Sequence, residues 1–119
     1  MPCDVEYTDE FGEWWEELSE SEQDAVDRCV LVLMGAGPHL GHPYSSSIES
    51  SRHSHMRELR IQHKGDPYRV FYAFDPRRAA ILLIGGCKTG DKRFYEKMVP
   101  AADDLYDTHL EELRREGEL

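Results

Sequence analysis

The period of the hydrophobic positions changes from segment to segment along this chain, and each change marks a predicted element. Residues 3–7 fit a short strand. From Glu10, the residues Phe11, Trp14, Trp15 and Leu18 fall at i, i+3, i+4 and i+7, one face of a helix. Ser19 with Glu22 three residues on is a capping box for a second helix, whose buried stripe is Ala25, Val26, Cys29, Val30 and Leu33. Gly35, Gly37 and Pro38 end it, and the two helices read as an antiparallel hairpin. Residues 38–55, dominated by Ser45, Ser46, Ser47, Ser50 and Ser51 with Ile48 as a core anchor, read as a mobile loop.

Three strands follow. Met56 to His63 is the first, and Gly65, Asp66 and Pro67 turn the chain. Tyr68 to Phe74 is the second, with Tyr68, Val70, Tyr72 and Phe74 on one face and Arg69 on the other. After a turn at residues 75–78, Ala79 to Cys87 is apolar throughout, which predicts a central strand covered on both faces. Short turns make the three an antiparallel meander. A last helix starts near Asp91 with Phe94, Tyr95 and Met98 inward. Pro100 marks the first turn of a restarted helix carrying Ala102, Leu105, His109 and Leu113. The order β-α-α-β-β-β-α predicts an α+β fold, with a helical hairpin and a C-terminal helix packed on one sheet. No repeat or linker divides residues 1–119, so a single domain is expected.

Charge is unevenly placed. The net charge is −10, which by itself argues against a nucleic-acid binder. Residues 1–27, however, hold eleven acids and no Lys or Arg, whereas residues 52–97 hold eleven bases and five acids. A basic centre flanked by acidic helices suggests a functional face. The apolar run at residues 79–84 is far too short to span a membrane, and Asp4, Glu6, Asp9 and Glu10 stand where a signal peptide needs basic residues. Cys3, Cys29 and Cys87 make no disulfide framework, and Cys29 and Cys87 read as buried thiols. Together these favour a cytoplasmic protein with no membrane partner.

The chemistry-bearing candidates lie in the basic centre. Arg57 and Arg60 are on the first meander strand and Arg69 on the second; Lys88 sits just past the third, followed by Lys92, Arg93 and Tyr95. Arg57 and Arg60 point to opposite faces, and Arg60 and Arg69 share one if the register allows. Guanidinium forks suit phosphate, and cations stabilise the charge that builds on phosphoryl oxygens when a 2′-hydroxyl attacks phosphorus. Tyr95 could serve as acid, base or stacking surface. His53 and His55, with His39 and His42, lie near this strip but lack the further ligands of a metal site, so no metal and no cofactor is expected. His53, His55 and His63 keep a possible proton-transfer role. The run 85–89 lacks the leading glycine and Gly-Lys pair of a P-loop. Acids surround Trp14 and Trp15, which suits a core or a partner surface rather than base stacking.

Three stretches carry a resemblance: Met56-Arg57-Glu58-Leu59-Arg60, Tyr68-Arg69-Val70-Phe71-Tyr72, and the apolar strand ending in Lys88-Thr89. With Leu40-Gly41-His42-Pro43 and Ser51-Arg52-His53, they resemble the RelE/ParE toxin superfamily over most of residues 5–110, closest to its HigB branch of phage Gp49-like proteins. The resemblance implies a type II toxin: a ribosome-dependent, metal-independent mRNA endoribonuclease that inhibits translation. It also implies neutralisation by an antitoxin, expected to be a helix-turn-helix protein through which alone operator DNA is reached. On this reading Arg69 matches the family's phosphate-binding arginine, Lys88 a basic position at the end of the last strand, Tyr95 a tyrosine near the C-terminal helix, and Arg60 the Glu-Leu-Arg arginine. Those four are the expected catalytic residues, with Arg57, Lys92, Arg93 and His55 as RNA contacts. Two alternatives stay open: a ParE-like toxin that inhibits a topoisomerase without cleaving anything, and a catalytically weak member that chiefly binds its antitoxin as co-repressor.

Overall fold

Side-chain caps set the starts of the first two helices in a computed structural model that describes residues 2–119. Thr8 Oγ1 accepts from the Phe11 N–H at 3.0 Å and opens α1 (Asp9–Glu17). Ser19 and Glu22 exchange two bonds, at 3.2 and 2.8 Å, and open α2 (Glu20–Ala36) with the expected capping box. Gly37, at φ 60, ends α2 in a conformation that disfavours any residue with a Cβ.

The strands are β1 (Val5–Tyr7), β2 (Ser45–Ser47), β3 (Arg57–His63), β4 (Asp66–Phe74) and β5 (Ala80–Cys87), and the last helix is α3 (Phe94–Arg115). They form one sheet of order β1-β5-β4-β3-β2, with β1 parallel to β5 and the other pairs antiparallel. Helices cover both faces. The core between the sheet and α1 and α2 holds Phe11, Val26, Leu33, Leu59, Ile61, Val70, Tyr72 and Leu82; the core between the sheet and α3 holds Met56, Phe71, Ala73, Ile81, Leu83, Phe94, Val99 and Ala102. This two-sided cover is why β5 reads as unbroken apolar sequence. A bulge on β5 pairs Phe71 with Ile84 but Tyr72 with Leu82, leaving Leu83 unpaired. Beyond it, Gly85 lies against the Trp14 ring and Gly86 against Phe94 and Met98. A Cβ on Gly85 would stand 2.4 Å from Trp14 ring carbons, so the absent side chain is what lets α1 settle on the sheet. Among the described residues, no helix is long and apolar enough to cross a membrane.

Four expectations need correction. The serine-rich segment is not a free loop: residues 45–47 form the edge strand β2 on β3. Its polarity is satisfied internally, for Ser45 is fully buried and shares a 2.6 Å hydrogen bond with the Tyr72 hydroxyl. Residues 51–53 are also tied down, with the Ser51 hydroxyl and Arg52 N–H donating to Asp103 and His53 Nε2 bonded to Asp107 at 2.8 Å. The first hairpin turns at Lys64 and Gly65, both at positive φ, and Asp66 and Pro67 already belong to β4. Two consecutive left-handed residues twist the chain as the paired strands require. Helix α3 runs through Pro100 without restarting. The proline forfeits one bond toward Glu96, while burial of Val99, Ala102 and Tyr106 on the sheet keeps the axis continuous. Cys87, finally, is exposed rather than buried.

Candidate nucleic-acid interface

Strand register decides which cations meet. Arg60 and Arg69 are direct cross-strand partners, so both project from the α3 face of the sheet. Glu58, two residues before Arg60, projects the same way. The start of α3 brings Tyr95 over this patch, its ring edge-on to Phe71 and Phe94 at 6.0 and 5.3 Å. Lys88, just past β5, places its ammonium 4.9 Å from the centre of the Tyr95 ring, a cation–π distance. Arg69, Lys88 and Tyr95 therefore gather around one carboxylate, with Arg60 beside Arg69.

That carboxylate organises the group. Glu58 is 7% exposed and accepts the Tyr95 hydroxyl at 2.6 Å on one oxygen and the Ser46 hydroxyl at 2.7 Å on the other. Arg69, 5% exposed, stands 3.3 Å from Glu58 through Nε, close enough for charge attraction. The N–H is misaligned, however, so this buried Nε has no hydrogen-bond partner among the described residues. Its Nη1 donates to the Tyr68 carbonyl at 3.0 Å. Arg60 differs: its guanidinium enters no hydrogen bond or ion pair among the described residues. It lines a cavity of about 350 Å³ with Arg69, His42, Pro43, Ile61 and Gln62. The patch thus presents one open arginine and one arginine set in the cavity wall.

Burial, with neighbouring charges, shapes the protonation of the other two. Burial pulls Lys88 below the usual lysine range, Arg69 and Arg60 push the same way, and Glu58 opposes them. Burial and the bond to Glu58 hold the Tyr95 phenol above its ordinary value against an opposing pull from Arg69. Tyr95 therefore keeps its proton and serves as a hydrogen-bond donor, and Lys88 holds its proton less tightly than an ordinary lysine.

The remaining candidates do not join. Arg57 points to the opposite face, as strand alternation requires, and donates to Ser45 Oγ at 3.0 Å and the Leu40 carbonyl at 3.3 Å. His55 is exposed in the turn before β3, five residues ahead of Arg60. Lys92 and Arg93 are exposed in the turn before α3, past the chain leading from Lys88. Among the described residues, no group of three or more His, Cys, Asp or Glu is arranged to hold a metal. Sequence reasoning passed over Glu58 and Ser46. The available signal was an acid between Arg57 and Arg60 on a strand whose neighbours are apolar, since such an acid must face a partner if it is buried.

Comparison with known proteins bears on the family and the fold. The family model for phage-derived Gp49-like proteins matches residues 13–107. Two Mycobacterium tuberculosis proteins named as candidate toxins are similar in sequence. HigB2 is 36% identical over 99 residues, covering 82% of this chain and 49% of HigB2. HigB3 is 38% identical over 98 residues, covering 82% of this chain and 84% of HigB3. The chain thus spans about half the length of the first relative and most of the second. Among solved structures, a mutant E. coli RelE toxin in the free state superposes with a TM-score of 0.58 at 9% identity, covering 82% of this chain and 96% of that one. Isolated E. coli RelE gives 0.52 at 11% identity, covering 81% and 95%. At such identities the likeness to RelE is one of fold, and the family rests on the sequence match across four-fifths of the chain: this protein belongs to the phage-derived Gp49-like family.

Proposed function

We propose that this chain is the toxin of a type II toxin–antitoxin pair and cleaves mRNA on the ribosome as a metal-independent endoribonuclease. The observation that supports this reading is the gathering of Arg60, Arg69, Lys88 and Tyr95 on one sheet face beside an open cavity. In the reaction, a ribose 2′-oxygen loses its proton and bonds to the adjacent phosphorus. The bond from phosphorus to the 5′-oxygen breaks, and that oxygen takes a proton. Arg60 and Arg69 would hold the phosphate and offset its growing negative charge. Lys88, with its weakened hold on a proton, suits proton transfer at the 2′-oxygen, and the protonated Tyr95 hydroxyl suits donation or stacking. Lys92 and Arg93 would add positive field along the emerging strand. The proposed partner is a cognate antitoxin that holds the toxin inactive.

The test is controlled expression with mapping of transcript ends. The expected result is growth arrest with discrete mRNA cleavage, relieved by Arg69→Ala in a folded protein. Normal growth and intact transcripts alongside abundant soluble protein would refute the reading. One observation favours a second reading: Arg69 is nearly buried against Glu58, which limits the cation it offers to a phosphate. On that reading the chain chiefly binds its antitoxin. Harmless overexpression together with co-purification of the neighbouring gene's product would select it.

A further inference from the structure

The layer formed by α1 and α2 leaves a gap. Between the two helices a cavity of about 410 Å³ opens to solvent, floored by Val5 and Leu82 and walled by Phe11, Trp15, Val30 and Met34. Large apolar side chains stand exposed on and near its rim: Tyr7 at 67%, Leu31 at 57% and Met34 at 39%. Leu31 and Met34 are three residues apart on α2, so they present one stripe. An apolar groove rimmed by polar residues marks a contact surface more often than it marks free surface.

The charge around the groove specifies the occupant. Glu16 and Asp27 are on its walls. The helices that frame it belong to a segment, residues 1–27, with eleven acids and no Lys or Arg; Arg28 is the first base in the chain. A second copy of this chain would bring the same acidic segment against itself, which like-charge repulsion disfavours. We propose that the groove between α1 and α2 receives an amphipathic helix of another protein, with apolar side chains seated on Val5, Leu82, Val30 and Met34 and Lys or Arg beside Glu16 and Asp27. Such a helix would lie as a third member of the α1–α2 layer. Arg60, Arg69, Lys88 and Tyr95 are on the other face of the sheet, so this partner docks without covering them. The proposal is independent of whether the chain cleaves RNA.

The test uses the full chain and a fluorescein-labelled synthetic helix of about 18 residues, with leucines on one face and lysines flanking them. Two control peptides carry the same residues scrambled, or glutamate in place of lysine. Fluorescence anisotropy should show one-to-one binding by the lysine helix, weakened several-fold between about 0.05 and about 0.3 M NaCl, and much weaker binding by both controls. Met34→Asp separates groove docking from general attraction. It adds negative charge, so unspecific electrostatics makes binding tighter, whereas loss of the apolar seat weakens it roughly tenfold. Should that variant melt early, Glu16→Lys with Asp27→Lys at the exposed rim serves instead, with binding transferred from the lysine helix to the glutamate helix. Unchanged or tighter binding by Met34→Asp, or equal binding of the scrambled peptide, overturns the proposal. So does a dimer of the free chain in light scattering that Met34→Asp dissociates, for then a second copy fills the groove.

Discussion

Replacing Glu58 by glutamine keeps the shape of the side chain and removes its charge. The surviving amide oxygen can still accept one of the two hydroxyl bonds, from Tyr95 or Ser46. The new amide N–H can donate to the other hydroxyl, which rotates to receive it. The perturbation therefore falls on the ion pair. The Arg69 and Glu58 side chains are 6% and 9% exposed and 3.3 Å apart, so the guanidinium left behind is a buried charge without its counterion. Stripping one partner from a buried pair costs roughly 3–5 kcal/mol. The lower end applies here, because the hydroxyl bonds survive and Arg69 keeps its bond to the Tyr68 carbonyl. A loss of about 3 kcal/mol lowers the melting temperature of a domain this size by roughly 10 °C. Urea unfolding of Glu58→Gln, Arg69→Met and the double variant gives the coupling directly. The double variant should be about 2–3 kcal/mol more stable than the sum of the single losses implies. A Glu58→Gln protein within about 0.5 kcal/mol of the parent, or strictly additive losses, would show that this carboxylate does not hold Arg69 in place and would refute the account of the patch.

Two further predictions follow from packing and protonation. Gly85→Ala drives a methyl into the Trp14 ring and should cost about 1–3 kcal/mol with a change in tryptophan emission; full stability would mean that α1 does not rest on β5 as described. Asp75 should shape the acid limb of the stability curve. Burial raises its affinity for a proton, but bonds from His109, Arg77 and the Ala79 N–H outweigh that and hold its carboxyl below the usual range. A carboxyl depressed on folding adds stability that is fully present above its unfolded value of 3.8 and lost as pH falls through the lower folded value. Melts from pH 6 down to about pH 2 should show this loss in the parent and a flatter limb in Asp75→Asn; identical slopes would exclude the role.

Local pattern alone specified much of this molecule. The helical stripes of α1 and α2, the Ser19–Glu22 box, the alternation of β4 and the apolar β5 are each written in neighbouring residues, because period and capping are short-range. The basic composition of residues 52–97 likewise pointed to a cationic strip, which the resemblance to the RelE/ParE superfamily narrowed to Arg60, Arg69, Lys88 and Tyr95. Tertiary structure decided what those residues meet. Whether Arg60 and Arg69 share a face depends on a register set by the Lys64–Gly65 turn, and a shift of one residue would have separated them. The strand at Ser45–Ser47 exists because Tyr72, Arg57 and Glu58, distant in the chain, satisfy serines that would otherwise seek water. The central place of Glu58 was hidden for the same reason. A buried carboxylate is tolerable only beside partners from β2, β4 and α3, and no local pattern records how those elements converge.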